Sequence, residues 1–514
     1  MTFRNRRGAA GRIQGASLTV LLAGGLAERS TIVSMSRTAR TGSTLIAALA
    51  IVSASLATGS SVTADEGRGE EEEIVRAALE EGAIEHVFVI DMENENFANT
   101  FGATSPATYL NTTLLAQGEL IPNYFATAHV SLGNYVAQVS GQAPTRSINN
   151  DCLDLSSLVP PFNHVVGAFT NIAPGADAAD SAAFPGQVVG NGCVFPAPTA
   201  TSHGARTIAD QLDAIDHPNR KTNLASWRMY AEDMGDNPLR DYGTTDPTGG
   251  TDCAHPPIGG VDNSNSASAT DQYATRHNPF VYFHSIIDRT EVCNANVVPM
   301  GKVMIGTNGQ PDVFTGHLAV DLGKKSTTPR FAFLSPNLCS DGHDSTCVGL
   351  NTEGTHVGKL VAMDLWLKHW MPLILGSPAY RSGKMLVVLT FDEADPSGTG
   401  ADSRACCNER PGPNISNSGF SPVLALFGAQ TTPIPGTFPY PGGGQVGAVV
   451  FNPRYIVAGS VNTTGFYNHY SALRSYEDLL GIDEGGDDGY GHLGFASDLG
   501  LMPFGSDVFN APQD

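Results

Sequence analysis

The sequence predicts an α/β fold with a central, mainly parallel sheet flanked by helices. Three observations carry that expectation. Short, continuous apolar runs recur along the chain, as strands covered on both faces require. Segments with helical spacing alternate with them. No internal repeat and no second composition regime interrupts the alternation, so residues 65–514 read as one domain with loop insertions rather than as several domains.

Taken in order, Ile74–Glu81 reads as a short helix and Val87–Met92 as the first strand. An irregular stretch then leads to Ala126–Tyr135, with Val136–Ser140 helical beyond it. Residues 150–205, rich in Pro, Gly, Ala and Asn, look like a stapled surface excursion. Thr207–Asp216 is helical, with Ile208 and Leu212 four apart, and Ala225–Tyr230 is a strand. Residues 235–270 are again a Gly, Pro, Asp and Ser-rich loop region. Phe280–His284 and Arg330–Leu334 are expected strands. Val357–Leu375 is a helix with Leu360, Met363, Leu365 and Trp366 on its apolar positions. Met385–Leu389, Val423–Phe427 and Val446–Phe451 complete the strands, and Tyr470–Leu480 is the last helix.

The chain has 514 residues and a formal charge of −22, from 51 acidic against 29 basic residues. That balance argues against a nucleic-acid partner, because a phosphate backbone calls for a basic surface. An anionic substrate would need a local cation. Near the start, Arg37 and Arg40 precede the apolar run 45–57, and Val62-Thr63-Ala64 supplies small residues for cleavage. This pattern predicts a secretory signal within residues 1–64, with Met35 as the expected true start. The run is too short to span a membrane comfortably, so stable membrane insertion is not expected. Eight cysteines without CxxC spacing favour disulfides over a thiolate zinc site. The expected pairs are Cys152–Cys193, Cys253–Cys293 and Cys339–Cys347; adjacent Cys406 and Cys407 are either bonded to each other or free.

Two strands end alike. Val87–Ile90 leads to Glu93-Asn94, and Met385–Leu389 leads to Asp392-Glu393. Parallel strands place their carboxyl ends on one edge, so these tips are expected to converge. Converging carboxylates repel unless a cation lies between them, and hard oxygen ligands suit a divalent ion. His129, Ser131 and Asn134 share one turn: a nucleophile candidate, a neighbouring imidazole and an amide able to hold developing charge. Asp341, His343 and Asp344 form a dense cluster of possible ligands, and His469 opens the last helix. His277 and His284 flank Asn278-Pro279-Phe280 without an assigned role.

These residues carry a family resemblance. Glu93-Asn94-x-x-Phe97, running on to Phe101-Gly102, resembles the opening motif of a secreted phosphoesterase family that contains bacterial acid phosphatases and phospholipases C. Ser335-Pro336-Asn337 with Asp341-Gly342-His343-Asp344 is similar to a second motif of that family, and Thr390-Phe391-Asp392-Glu393 to a third. Tyr467–Leu479 resembles its C-terminal helix motif. The four blocks stand in family order over residues 85–500. The segment His129-Val130-Ser131-Leu132-Gly133-Asn134-Tyr135 resembles the nucleophile segment of the phosphatase branch, with Gly133 where proline is usual. That branch, which includes phosphatidylinositol-3-phosphatase-like proteins, is the nearer one.

The resemblance implies an alkaline-phosphatase-like sandwich with one or two divalent metal ions at a sheet edge. It implies a serine nucleophile, Ser131, forming a phosphoseryl intermediate that water hydrolyses, with Asn134 stabilising the equatorial oxygens. Glu93, Asn94, Asp392 and Glu393 would be metal ligands, and Asp341, His343, Asp344 and His469 would bind metal or protonate the leaving group. The substrate would be a small-molecule or lipid phosphate ester. Two alternatives stand beside the phosphomonoesterase: a phospholipase C-type phosphodiesterase, and an inactive cell-surface binding protein on the same fold.

Overall fold

The sheet is built outward from strand β1, His86–Met92, whose seven residues are all buried. Side chains of a strand covered on both faces have no polar side to show, which is why Val87–Ile90 is continuously apolar rather than alternating. This computed structural model describes residues 82–153, 167–172, 183–200, 204–216, 226–264, 267–343, 346–396, 401–415 and 442–512, with Ala78, Glu80 and Ser202 besides. The expected signal region, the helix at 74–81 apart from Ala78 and Glu80, and the strand at 423–427 lie outside them.

Six further strands complete the sheet: β2 Glu119–Ile121, β3 Trp227–Ala231, β4 Val297–Pro299, β5 Phe331–Ser335, β6 Met385–Phe391 and β7 Ala448–Phe451. Their order is β2-β7-β6-β1-β5-β3-β4. The five strands from β6 to β4 run parallel; β7 pairs antiparallel with both β6 and β2, so it alone runs against the rest. The sheet is therefore mixed but mainly parallel, in line with the expected α/β class.

Helices cover both faces. Phe331 and Phe333 of β5 meet Tyr476 and Tyr135, and Trp227 of β3 donates to Asp213. These contacts place α1 (Ser131–Ser140), α2 (Ile208–Asp216) and α5 (His469–Leu479) on one face. Tyr230 pairs in register with Leu334 and so points the other way, where its hydroxyl donates to Asp321 of α3 (His317–Leu322) at 2.6 Å. The long helix α4, Lys359–Leu375, packs against α3 on that second face.

One expected strand is a different element. Pro279–Tyr282 is a 3₁₀ turn and His284–Ile287 a short helix. Pro279 cannot donate to a ladder and is pre-set for the first helical position. The run Phe280–Phe283 is buried, and its one sheet-like pairing is an isolated parallel bridge from Phe283 to Phe195, outside the central sheet. The three expected disulfides form, and Cys406 is bonded to Cys407. Among the described residues, no helix is long and apolar enough to cross a membrane.

The edge strand β2 yields a pH-dependent prediction. Glu119 is buried; Oε1 accepts from Asn510 at 2.9 Å, and Oε2 has no partner. Burial first, and Asp507 second, push its carboxyl from 4.5 up to about 8. Between those two values the folded chain holds a proton that the unfolded chain has released, so stability falls as pH rises through that window. Glu119→Gln keeps the acceptor and removes the charge. Its melting temperature is expected to exceed wild type at pH 7.5, with the gap closing toward pH 4.5 in thermal unfolding by circular dichroism. A gap that did not change with pH would refute the assignment.

Candidate active site

Register places the two acidic tips side by side. Asp91 pairs with Thr390 and Met92 with Phe391, so Glu93 and Asp392 leave the sheet as neighbours. Backbone bonds hold the tip: Asp392 N donates to Met92 O at 2.8 Å, and Asn94 N donates to Asp392 Oδ1 at 3.0 Å. Asp341 O accepts from Glu93 N at 2.9 Å, which ties the loop after β5 to the same edge.

Ser131 is the first residue of α1, and its hydroxyl donates to Glu93 Oε2 at 2.9 Å. The other oxygen of Glu93 accepts from Tyr135 OH at 2.6 Å. Ser131 and Tyr135 are four apart and so share one helix face. Leu132 N, one of the amides a helix start leaves unpaired, is met by Asp151 Oδ1 at 2.9 Å.

Asn134 lies elsewhere than at a reacting oxygen. Its Oδ1 accepts from the backbone of Thr127 and Ala128, both at 2.9 Å, and its Nδ2 donates to the carbonyls of Ala128 and Val130. Those bonds engage both amide hydrogens and the carbonyl oxygen. Asn134 thus shapes the turn that presents Ser131.

The histidines divide in the same way. His129 is buried against Glu393 Oε2 on one ring nitrogen and against Asp402 O and Ser403 Oγ, each at 3.1 Å, on the other. It orients Glu393 from behind the tip. His469 Nε2 donates to Asp392 O at 2.7 Å, while its Nδ1 meets Tyr124 OH at 3.2 Å. Burial lowers it to about 4, so it is neutral at physiological pH and steadies the β6 tip. The helix cap beside it is Asn468, whose Oδ1 accepts from Ser471 N. His343 is half-buried with its amide on Asp341 Oδ1, and Asp344 lies outside the described residues.

One residue without an assigned role sits at the centre. His277 places Nε2 3.2 Å from Glu93 Oε1 and Nδ1 3.9 Å from Asp341 Oδ2. Its ring stacks on Tyr135, with centroids 5.2 Å apart and planes 4° from parallel. Burial, with Arg276 adding to it, holds His277 well below its ordinary range, so the ring is neutral. Neither nitrogen has a well-oriented hydrogen bond.

The electrostatics are those of crowded anions. Burial and then Asp341 push Glu93 well above the carboxylate range; burial, Glu93 and Glu393 do the same to Asp392. Buried Arg276, 3.7 Å from Asp151, is a cation that opposes the shift at Glu93. Asn94 Oδ1 and Asp392 Oδ2 are buried without partners. Orphaned oxygens beside repelling carboxylates fit a hard divalent cation at this tip, because bare buried acceptors are otherwise costly.

No family model matches the chain. It is similar to fungal acid phosphatases. An acid phosphatase of Aspergillus fumigatus is 23% identical over 280 residues, covering 54% of this chain and 39% of the relative. A phosphate-repressible acid phosphatase of Penicillium chrysogenum is 25% identical over 282 residues, covering 55% and 42%. The chain thus spans about two fifths of the length of the curated relatives it matches. Among solved structures, the PsFucS1 sulfatase from Pseudoalteromonas sp. shares 13% identity over 86% of this chain and 79% of its own, with TM-score 0.38. An alkaline phosphatase superfamily protein from Vibrio parahaemolyticus shares 12% over 80% and 75%, with TM-score 0.35. Both are distant likenesses.

Proposed function

We propose that this chain is a secreted, metal-dependent phosphoric-ester hydrolase of the phosphomonoesterase type, with Ser131 as nucleophile. The observation that carries the reading is the Ser131 hydroxyl donating to Glu93 Oε2 at 2.9 Å, at a paired acidic strand tip. The acid phosphatase relatives support the same reaction class. The four disulfides support an oxidising destination.

Each residue then has a task. Ser131 Oγ attacks phosphorus in line, the ester oxygen leaves, and the phosphoseryl group is later hydrolysed by water. Glu93 is placed to take the hydroxyl proton, and Tyr135 fixes its other oxygen. Ser131 opens α1, so the phosphoryl group meets the positive end of a helix. His277, neutral and without oriented partners, is placed to donate to a phosphoryl oxygen or to the leaving group. A divalent cation held by Glu93, Asn94 and Asp392, with Glu393 and Asp341 alongside, would stabilise developing negative charge and acidify the serine hydroxyl.

A substrate panel tests the reading. Phosphate release from p-nitrophenyl phosphate is expected, without phosphocholine release from phosphatidylcholine. The reverse pattern would assign the phospholipase C-type reaction instead.

A further inference from the structure

A second cluster of ligand-type side chains stands well away from Ser131. Asp246, Asp252 and His317 each offer one ligand atom, and the three atoms lie within 4.8 Å of one another. The two aspartates belong to an antiparallel hairpin, Tyr242–Thr245 with Thr251–His255. His317 is the first residue of α3. Gly250, in the hairpin turn, sits against Pro299 of the edge strand β4. The trio therefore lies near an edge strand three positions from β1, about 14 Å at the usual strand spacing.

Several features single this cluster out. Asp252 is 9% exposed, and its Oδ1 is buried without a hydrogen-bond partner. Asp246 is held in place from both sides: Oδ1 accepts from Thr248 N at 2.6 Å and from its hydroxyl at 2.5 Å, and Oδ2 faces His317 Nε2 at 2.7 Å. The next residue after Asp252 is Cys253, bonded to Cys293, so the hairpin cannot easily carry Asp252 away. Arg228, the nearby cation, is already engaged by Asp321 at 3.4 Å and by the carbonyl of Ala295. Asp246 is thus paired with His317, whereas Asp252, buried beside that pair and repelled by Asp246, keeps an orphaned oxygen with no committed cation.

We propose that Asp246, Asp252 and His317 form a divalent-cation site that staples the 242–255 hairpin to α3. Two carboxylate oxygens and one imidazole nitrogen suit Zn²⁺ or Mn²⁺, whereas Mg²⁺ and Ca²⁺ favour all-oxygen sets. Neighbouring ligand atoms around tetrahedral Zn²⁺ stand about 3.3 Å apart, so small side-chain movements close the site. The three groups come from segments about seventy residues apart, and the ion would join them without touching the phosphoesterase centre. The competing arrangement is the Asp246–His317 pair alone, with a proton held on the buried Asp252 beside it.

Metal uptake by the full chain separates the two. The protein is stripped with a chelator in the Asp392→Asn background, so that the strand tip does not contribute, and is titrated with Co²⁺ and Zn²⁺. One equivalent per chain, a Co²⁺ d–d absorption band and a raised melting temperature are expected. His317→Gln and Asp252→Asn should each weaken uptake by about 10–100-fold or more. If His317→Gln does not fold, the nearly isosteric Asp252→Asn gives the same reading; if Asp392→Asn does not fold, wild type should bind one equivalent more than Asp252→Asn. No uptake in the Asp392→Asn protein, or uptake unchanged by Asp252→Asn, overturns the site. Phosphate release is scored separately, so either outcome leaves the phosphatase reading untouched.

Discussion

Ser131→Ala is expected to lower kcat for phosphate release from p-nitrophenyl phosphate by about four orders of magnitude or more, as loss of a nucleophile commonly does. The fall should appear in kcat rather than KM, because a nucleophilic hydroxyl would act on the reacting phosphorus and contribute little to ground-state binding. The fold should survive. Ser131 is 4% exposed and its side chain makes one bond, to Glu93, whose other oxygen keeps the Tyr135 hydroxyl. One such bond is worth about 1–3 kcal/mol when its acceptor is charged, small for a domain this size. Acid-quenched wild type incubated with labelled substrate should carry phosphate on protein, and the variant should carry none. Activity of a few per cent in Ser131→Ala would assign the attack to water and remove the covalent step.

The strand tips were legible because of how a parallel sheet is covered. A strand packed on both faces is largely apolar, so the approach of its end shows as an abrupt change, as after Ile90 and Leu389, two residues before β1 and β6 end at Met92 and Phe391. The Glu93 and Asp392 tips and the Ser131 turn follow from that local pattern and from motif order. What could not be read was packing between distant segments. His277 reaches Glu93 from a 3₁₀ turn at Thr275–His277, and nothing in its own neighbourhood announces a partner 184 positions away. The next apolar run, Phe280–Phe283, is as compatible with a buried turn as with a strand, since burial alone has no period. Asn134 and His469 carry motif-matched names but serve the backbone: one shapes the 127–130 turn, the other holds the Asp392 carbonyl. Sequence similarity marks such residues as belonging to the site without saying whether they touch substrate.

Asp392→Asn is expected to move activity and stability in opposite directions. The substitution is nearly isosteric, and Oδ1 can still accept from Asn94 N. The orphaned Oδ2, on a carboxyl that burial, Glu93 and Glu393 hold well above its ordinary range, becomes an amide donor. A buried carboxyl that must take up a proton on folding is replaced by a neutral amide, so the chelator-stripped variant should melt at a higher temperature than stripped wild type at neutral pH. The same change removes a hard ligand and part of the charge that would hold a cation. Metal at the strand tip should be lost and phosphate release should fall by about a thousandfold or more, since a bound cation supplies several kcal/mol of charge stabilisation. Added Mg²⁺, Mn²⁺, Ca²⁺ or Zn²⁺ should then raise the melting temperature of wild type, and less so that of the variant. Only a tip built for an ion accounts for that crossing. If Asp392 were merely a buried structural carboxylate, stripped Asp392→Asn would be the less stable protein, and its response to added metal would match wild type.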